Sequence, residues 1–129
     1  MRSKIKQQVS QCTYFKIRKF LKNLKKNNKV LIFGLTYKKD VNDLRESASL
    51  KIFEKLLQFK NLKFEYHDSY VNNVLIKKKK LKSINLNYTS LKYYSAVIIL
   101  TNHTNLNYKM IYKYSQTINE NRGLYKNKH

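Results

Sequence analysis

The 129-residue sequence predicts an α/β fold: a Rossmann-like, doubly wound parallel sheet preceded by an N-terminal helix. Two observations carry this. Val30 to Phe33 and Ala96 to Leu100 are short unbroken apolar runs, as expected of strands buried on both faces. Each is followed by a polar turn and then by apolar residues at helical spacing, so strand and helix alternate along the chain. The length suits one domain, with a core that buries roughly two-thirds of the unfolded surface.

The elements follow in order. Across residues 4 to 26, Ile5, Val9, Cys12, Ile17, Phe20, Leu21 and Leu24 recur at spacings of three and four, which makes an amphipathic helix with Asn27 and Asn28 as terminators. Val30 to Phe33 is the first strand. A helix starts at Ser47, whose hydroxyl can cap the free N–H groups of the first turn, and Leu50, Phe53, Leu56 and Leu57 form its apolar face. Leu62 to Tyr66 reads as a second strand and His67-Asp68-Ser69 as a turn. Val71 to Ile76 reads as a short helix, Ile84 to Leu86 as a short strand and Leu91 to Tyr94 as a helical piece. Ala96 to Leu100 is the strongest strand. Tyr108 to Tyr114 is helical, and Thr117 to Asn119 is a last short strand.

Charge is the loudest compositional feature: 28 Lys+Arg against 7 Asp+Glu, a net +21. Such an excess raises the alternative of a basic nucleic-acid-binding module. Against it, the only arginines are Arg2, Arg18, Arg45 and Arg122, whereas base and phosphate readers favour the arginine fork. The abundance of Lys, Asn, Ile and Tyr, with no Pro or Trp, is the bias of AT-rich coding, so most lysines read as solvated surface. Lys77 to Lys80 reads as a solvated turn. The eleven tyrosines are scattered rather than arrayed for base stacking. A lone Cys12 excludes an internal disulfide, and no apolar run reaches membrane-spanning length, so the expected setting is cytoplasmic. His67 and His103 lack a third ligand or a carboxylate at metal spacing and read as structural.

In parallel sheets, ligands bind beyond the carboxyl ends of the strands. That edge here comprises Gly34 to Ser47, His67 to Tyr70, Thr101 to Thr104 and Glu120 to Arg122. Gly34 allows a sharp turn or the close approach of a ligand. Lys38, Lys39 and Arg45 lead into a helix N-terminus, which is itself partly positive, and Asp40 and Asp43 can hold these cations by ion pairs. The residues alone leave two readings open, a phosphate site and a solvated charged loop. Neither a G-x-G-x-x-G nor a Walker A sequence is present.

The segment "FGLTYKKDVNDLRESASLKI" resembles the start of the C-terminal, UDP-binding domain of the UDP-glucose/GDP-mannose dehydrogenase family. "YHDSYV" is similar to that family's Asp-Pro-Tyr turn, "AVIILTNH" to its late buried strand with Thr-x-x-His, and "INENRG" to its closing Asp-x-Arg segment. The four stretches occur in the family's order. The "YKKD…DLRES" wording resembles the branch acting on UDP-N-acetylhexosamines, the UDP-N-acetylglucosamine and UDP-N-acetylmannosamine 6-dehydrogenases.

The resemblance implies NAD-dependent oxidation of a UDP-sugar C6 alcohol to a uronate, for polysaccharide biosynthesis, in two hydride transfers through a cysteine thiohemiacetal. By position it implies that Lys38 and Arg122 contact the UDP-sugar, that Tyr37 lines the same pocket, and that Arg45 reaches the NAD. It implies residues 1–28 as a remnant of the connecting helix and 29–129 as the UDP-sugar-binding domain. The NAD would be bound mainly by an N-terminal domain with no counterpart here, and the cysteine segment has none either: "SQCTYF" around Cys12 does not match it. No residue of this chain is therefore read as catalytic or metal-binding. A separately encoded N-terminal dehydrogenase part is the implied partner, and a homo-oligomer is compatible with the resemblance. Ala48 and Ser69 stand where the family has prolines, and Glu120 where it has aspartate.

Overall fold

The computed structural model describes residues 13–36, 47–101 and 103–120. A helix over residues 13–21 (α1) leads into strand β1 (Lys29–Phe33) and helix α2 (Ala48–Leu56). Strand β2 (Lys63–His67) follows, then a hairpin of β3 (Asn73–Ile76) and β4 (Lys79–Lys82) and a 3-10 turn at Tyr88–Tyr93. Strand β5 (Ala96–Ile99), helix α3 (Tyr108–Tyr114) and strand β6 (Ile118–Glu120) complete the described chain.

The main sheet has the order β2-β1-β5-β6, and each of its pairings is parallel. The topology therefore switches direction between β1 and β5, as in a doubly wound sheet. Alternation along the strands divides the core. Val30 and Ile32 of β1 face Ile17 and Leu21 of α1, Ile52, Phe53 and Leu56 of α2, and Val74 and Ile76 of the hairpin. Leu31 and Phe33 face the opposite layer, with Leu91, Tyr94 and Ile111. β1 and β5 carry no polar residue beyond Lys29 because both of their faces are covered.

The expected first strand, the helix capped by Ser47, the neighbouring β1 and β5, and the helix Tyr108–Tyr114 are all present. The expected helix over 4 to 26 is seen over 13–21 among the described residues. It ends before Leu24, and Asn27 instead makes a left-handed turn (φ 69°) whose N–H donates to the Asn61 carbonyl.

Two expectations fail. Val71 to Ile76 is not a helix: Asn73–Ile76 is a strand whose residues alternate exposed and buried, paired antiparallel with Lys79–Lys82. Six residues are too few to separate the two periods, and the turn carries no Asn-Gly signal. Ile84 to Leu86 is not a strand either; the Ile84 N–H donates to the Tyr66 carbonyl, but no ladder forms.

Lys77 and Lys78 form the hairpin turn, both with positive φ (50° and 67°), as a two-residue type I′ turn demands. Side-chain-bearing residues are costly in that conformation. Changing Lys77-Lys78 to Asn-Gly should stabilise the protein by about 1 kcal/mol, read as a higher denaturation midpoint; an unchanged midpoint would count against a strained turn.

Candidate functional site at the carboxyl edge of the sheet

The register sets one row across the sheet. Phe33 lies opposite both His67 and Ile99, and Ile99 lies opposite Glu120, so all four strands end together. The segments that follow, from Gly34, Asp68 and Leu100, leave from one edge.

Gly34 makes the first turn at φ +90°. A Cβ there would lie 2.4 Å from Thr101 Cβ and 2.5 Å from the Thr101 carbonyl oxygen. Of the two uses expected for this glycine, the structure selects the turn: its open side is filled by Thr101.

Leu35 and Thr36, both buried, are held by side chains from three other elements. The Leu35 N–H donates to Asp68 Oδ2 at 2.8 Å. The Leu35 carbonyl accepts from the Ser47 hydroxyl at 2.6 Å. The same Ser47 oxygen accepts from the Leu50 N–H at 3.0 Å, which caps α2. The Thr36 carbonyl accepts from Thr101 Oγ1 at 3.0 Å. Since that bond uses the only Thr101 hydroxyl proton, the Ser49 hydroxyl must donate in the 2.9 Å Ser49–Thr101 contact. The charged loop thus has joined stems: Ser47, where the loop ends, is bonded to Leu35, just before it begins.

Asp68 is the centre of the edge, 1% exposed. Its Oδ2 also accepts from His103 Nε2 at 3.1 Å, and its Oδ1 accepts from the Tyr70 N–H at 2.9 Å. Burial favours the neutral acid, but the hydrogen bonds from His103, Leu35 and Tyr70 and the charge of His103 outweigh it, so the carboxyl titrates below its ordinary value. A carboxylate only accepts, so His103 Nε2 carries a proton. Thr36 Oγ1, 3.2 Å from that nitrogen, then shares the same N–H as a second acceptor. The His103 ring lies 4.7 Å from the Tyr70 ring, and its carbonyl accepts from the Tyr108 hydroxyl at 2.6 Å. Burial, and then the Asp68 charge, push the nearby Tyr66 hydroxyl up to about 12.

Of the residues singled out in the sequence, Tyr37, Lys38, Arg45 and Arg122 lie outside the described residues. Thr36, Ser47 and Glu120, which flank them, stand on the edge. His67 and His103 have separate roles: His67 Nδ1 meets the Ile84 carbonyl at 2.8 Å and its ring packs edge-on to Phe33, while His103 pairs with Asp68. Sequence reasoning missed that carboxylate because Asp68 and His103 are 35 residues apart. The signal was topological: their strands, β2 and β5, flank β1, so both residues meet over its end. Among the described residues, no three His, Cys, Asp or Glu side chains gather as a metal site.

Comparison with known proteins agrees with this architecture. A UDP-N-acetyl-mannosamine dehydrogenase from Staphylococcus aureus is 27% identical, superposes with a TM-score of 0.63, and is matched over 88% of this chain and 26% of its own. A UDP-D-ManNAc dehydrogenase from Pyrococcus horikoshii (19% identity, TM-score 0.58, 86% of this chain and 25% of that one) shares the fold. So does a UDP-glucose dehydrogenase from Pyrobaculum islandicum (18%, TM-score 0.59, 88% and 29%). The chain spans about a quarter of the length of these structures. No curated protein sequence matches it. Residues 31–125 match the model of the UDP-glucose/GDP-mannose dehydrogenase family, UDP binding domain, and the chain belongs to that family.

Proposed function

We propose that this chain binds a UDP-sugar across the carboxyl edge of its sheet, as the nucleotide-sugar-binding part of an NAD-dependent 6-dehydrogenase acting on a UDP-N-acetylhexosamine. The observation that supports the reading is the common row of strand ends, Phe33, His67, Ile99 and Glu120, since ligands of parallel sheets bind beyond that edge. The N-acetylhexosamine assignment is supported by "YKKD…DLRES" and by the 27% identity to the staphylococcal enzyme. In this reading Lys38 neutralises the diphosphate, Arg122 adds a two-point contact, and Tyr37 lines the pocket. A cytoplasmic setting fits a chain with one cysteine.

The described residues do not fit NAD. A dinucleotide cradle needs a glycine against which the pyrophosphate can lie, and Gly34 is closed off by Thr101. NAD enters the reading only as a ligand held by the remainder of a dehydrogenase, with Arg45 as the contact offered from this chain. Hydride transfer belongs to that assembly.

Titrating UDP into the 129-residue chain tests the reading. Lys38→Ala or Arg122→Ala should weaken binding roughly ten- to a hundredfold, since charge-assisted hydrogen bonds contribute about 1.5 to 3 kcal/mol each. Lys78→Ala, in the hairpin turn, should leave it unchanged. Equal losses in all three variants, abolished alike by salt, would refute the pocket and point to polyanion binding through bulk charge.

A further inference from the structure

Three strand ends meet through one buried group of side chains. Asp68 follows β2, His103 follows β5, and Leu35-Thr36 follows β1, which lies between them. Asp68 Oδ2 receives both the Leu35 N–H and the His103 Nε2–H, and Thr36 Oγ1 shares the latter. Thr36, Asp68 and His103 are each at most 1% exposed. A buried carboxylate with three protein donors is costly to dismantle piecemeal, because removing one partner leaves the others mismatched. Such groups define one geometry. What this one defines is the position of Leu35 and Thr36, the last of which precedes Lys38 by two residues in the sequence.

We propose that Asp68, His103 and Thr36 form a positioning clamp that presents the loop stem for diphosphate binding, His103 acting through Asp68 and Thr36 rather than by touching the ligand. This rests on the UDP-binding reading above. The clamp joins the two strands flanking β1 to the residues that continue it, so it fixes the stem from both sides. A fixed stem removes conformational freedom that the ligand would otherwise have to freeze, which is how supporting side chains raise affinity.

The decisive variant is His103→Phe, which keeps a ring against Tyr70 and removes both ring nitrogens, the Nε2–H among them. His103→Gln, whose amide nitrogen can reach a similar position, is the conservative partner. Two quantities are read on the folded 129-residue chain: UDP affinity by calorimetry, and amide hydrogen exchange of Leu35 against Val97, whose N–H donates to the Thr117 carbonyl away from the clamp. His103→Phe should weaken UDP binding on the order of tenfold, about the cost of freezing one loosened residue again when the ligand binds. The Leu35 amide should exchange roughly tenfold faster as its acceptor loosens, with Val97 unmoved. His103→Gln should recover most of both losses.

If either readout stays at the wild-type value, or Val97 loosens in parallel with Leu35, the clamp is only part of the core and the proposal falls. If the wild type itself does not bind UDP, the UDP reading fails, and Leu35 exchange alone decides whether the clamp holds the stem. Should His103→Phe not fold, Thr36→Val removes the shared acceptor with almost no change of shape and is read in the same way.

Discussion

Gly34→Ala should destabilise the protein by about 3 kcal/mol or more, a large part of the roughly 5 to 15 kcal/mol that holds a domain folded. Two costs combine. At φ +90° an alanine side chain is strained by about 1 to 3 kcal/mol. The new methyl would also lie 2.5 Å from the Thr101 carbonyl oxygen and 2.7 Å from its nitrogen, and overpacking adds about 1 to 3 kcal/mol. These are backbone atoms, fixed because the Thr101 N–H donates to the Phe33 carbonyl at 3.2 Å, so no side-chain rotation relieves the contact. Equilibrium denaturation measures the loss. Adding Thr101→Gly removes the nearest carbon and leaves both backbone obstacles, so it should not restore stability. A single-variant loss below about 1 kcal/mol, or full rescue by Thr101→Gly, would disprove the argument.

How much of this was legible depended on the length scale of each signal. The unbroken runs Val30 to Phe33 and Ala96 to Leu100 were legible because burial on two faces removes every polar residue, a pattern visible within four or five positions. Tyr108–Tyr114 and the Ser47 cap were legible because capping and helical spacing act within a turn or two. Asn73–Ile76 was not, since Val71, Val74 and Leu75 fall at helical spacing while Val74 and Ile76 alternate as in a strand, and the Lys77-Lys78 turn gives no glycine to decide between them. The polar clamp was the least legible. Its members follow three different strands, and only the sheet order brings them together. The expectation of a phosphate site in the loop rested on Lys38, Lys39 and Arg45, which lie outside the described residues; the Ser47–Leu35 bond that joins the loop stems had no sequence signal beyond the cap itself.

The described part of the edge also separates two kinds of charge. The lysines of the hairpin are exposed, and Lys77 to Lys80 and Lys82 gain nothing from burial. Asp68 is the opposite case, one carboxylate enclosed by donors on every side. A net charge of +21 therefore says little about this site, whereas a single buried negative charge sets its geometry.

Removing that charge should have the second large effect. Asp68→Ala takes the carboxylate away from the Leu35 and Tyr70 N–H groups and from His103 Nε2, and should cost about 3 to 5 kcal/mol, the range for breaking a buried charged pair. Asp68→Asn keeps the shape but must turn an NH2 group toward at least one of those donors, so a loss of about 1 to 3 kcal/mol is expected. The pH dependence tests the charge itself. The folded-state pKa of Asp68 is depressed below 3.8, so its contribution is fully present above the unfolded value and is lost as pH falls through the folded one. Wild type should thus exceed Asp68→Asn most in stability at neutral pH, and the gap should begin to close as pH falls below about 4, the unfolded value. Urea denaturation of both proteins between pH 7 and pH 3 measures the gap. A constant gap across that range would mean that the Asp68 pKa is the same folded and unfolded, and a gap that moves in favour of wild type as pH falls would mean that Asp68 is held as a neutral acid; in that second case the His103 Nε2–H would have no carboxylate to meet.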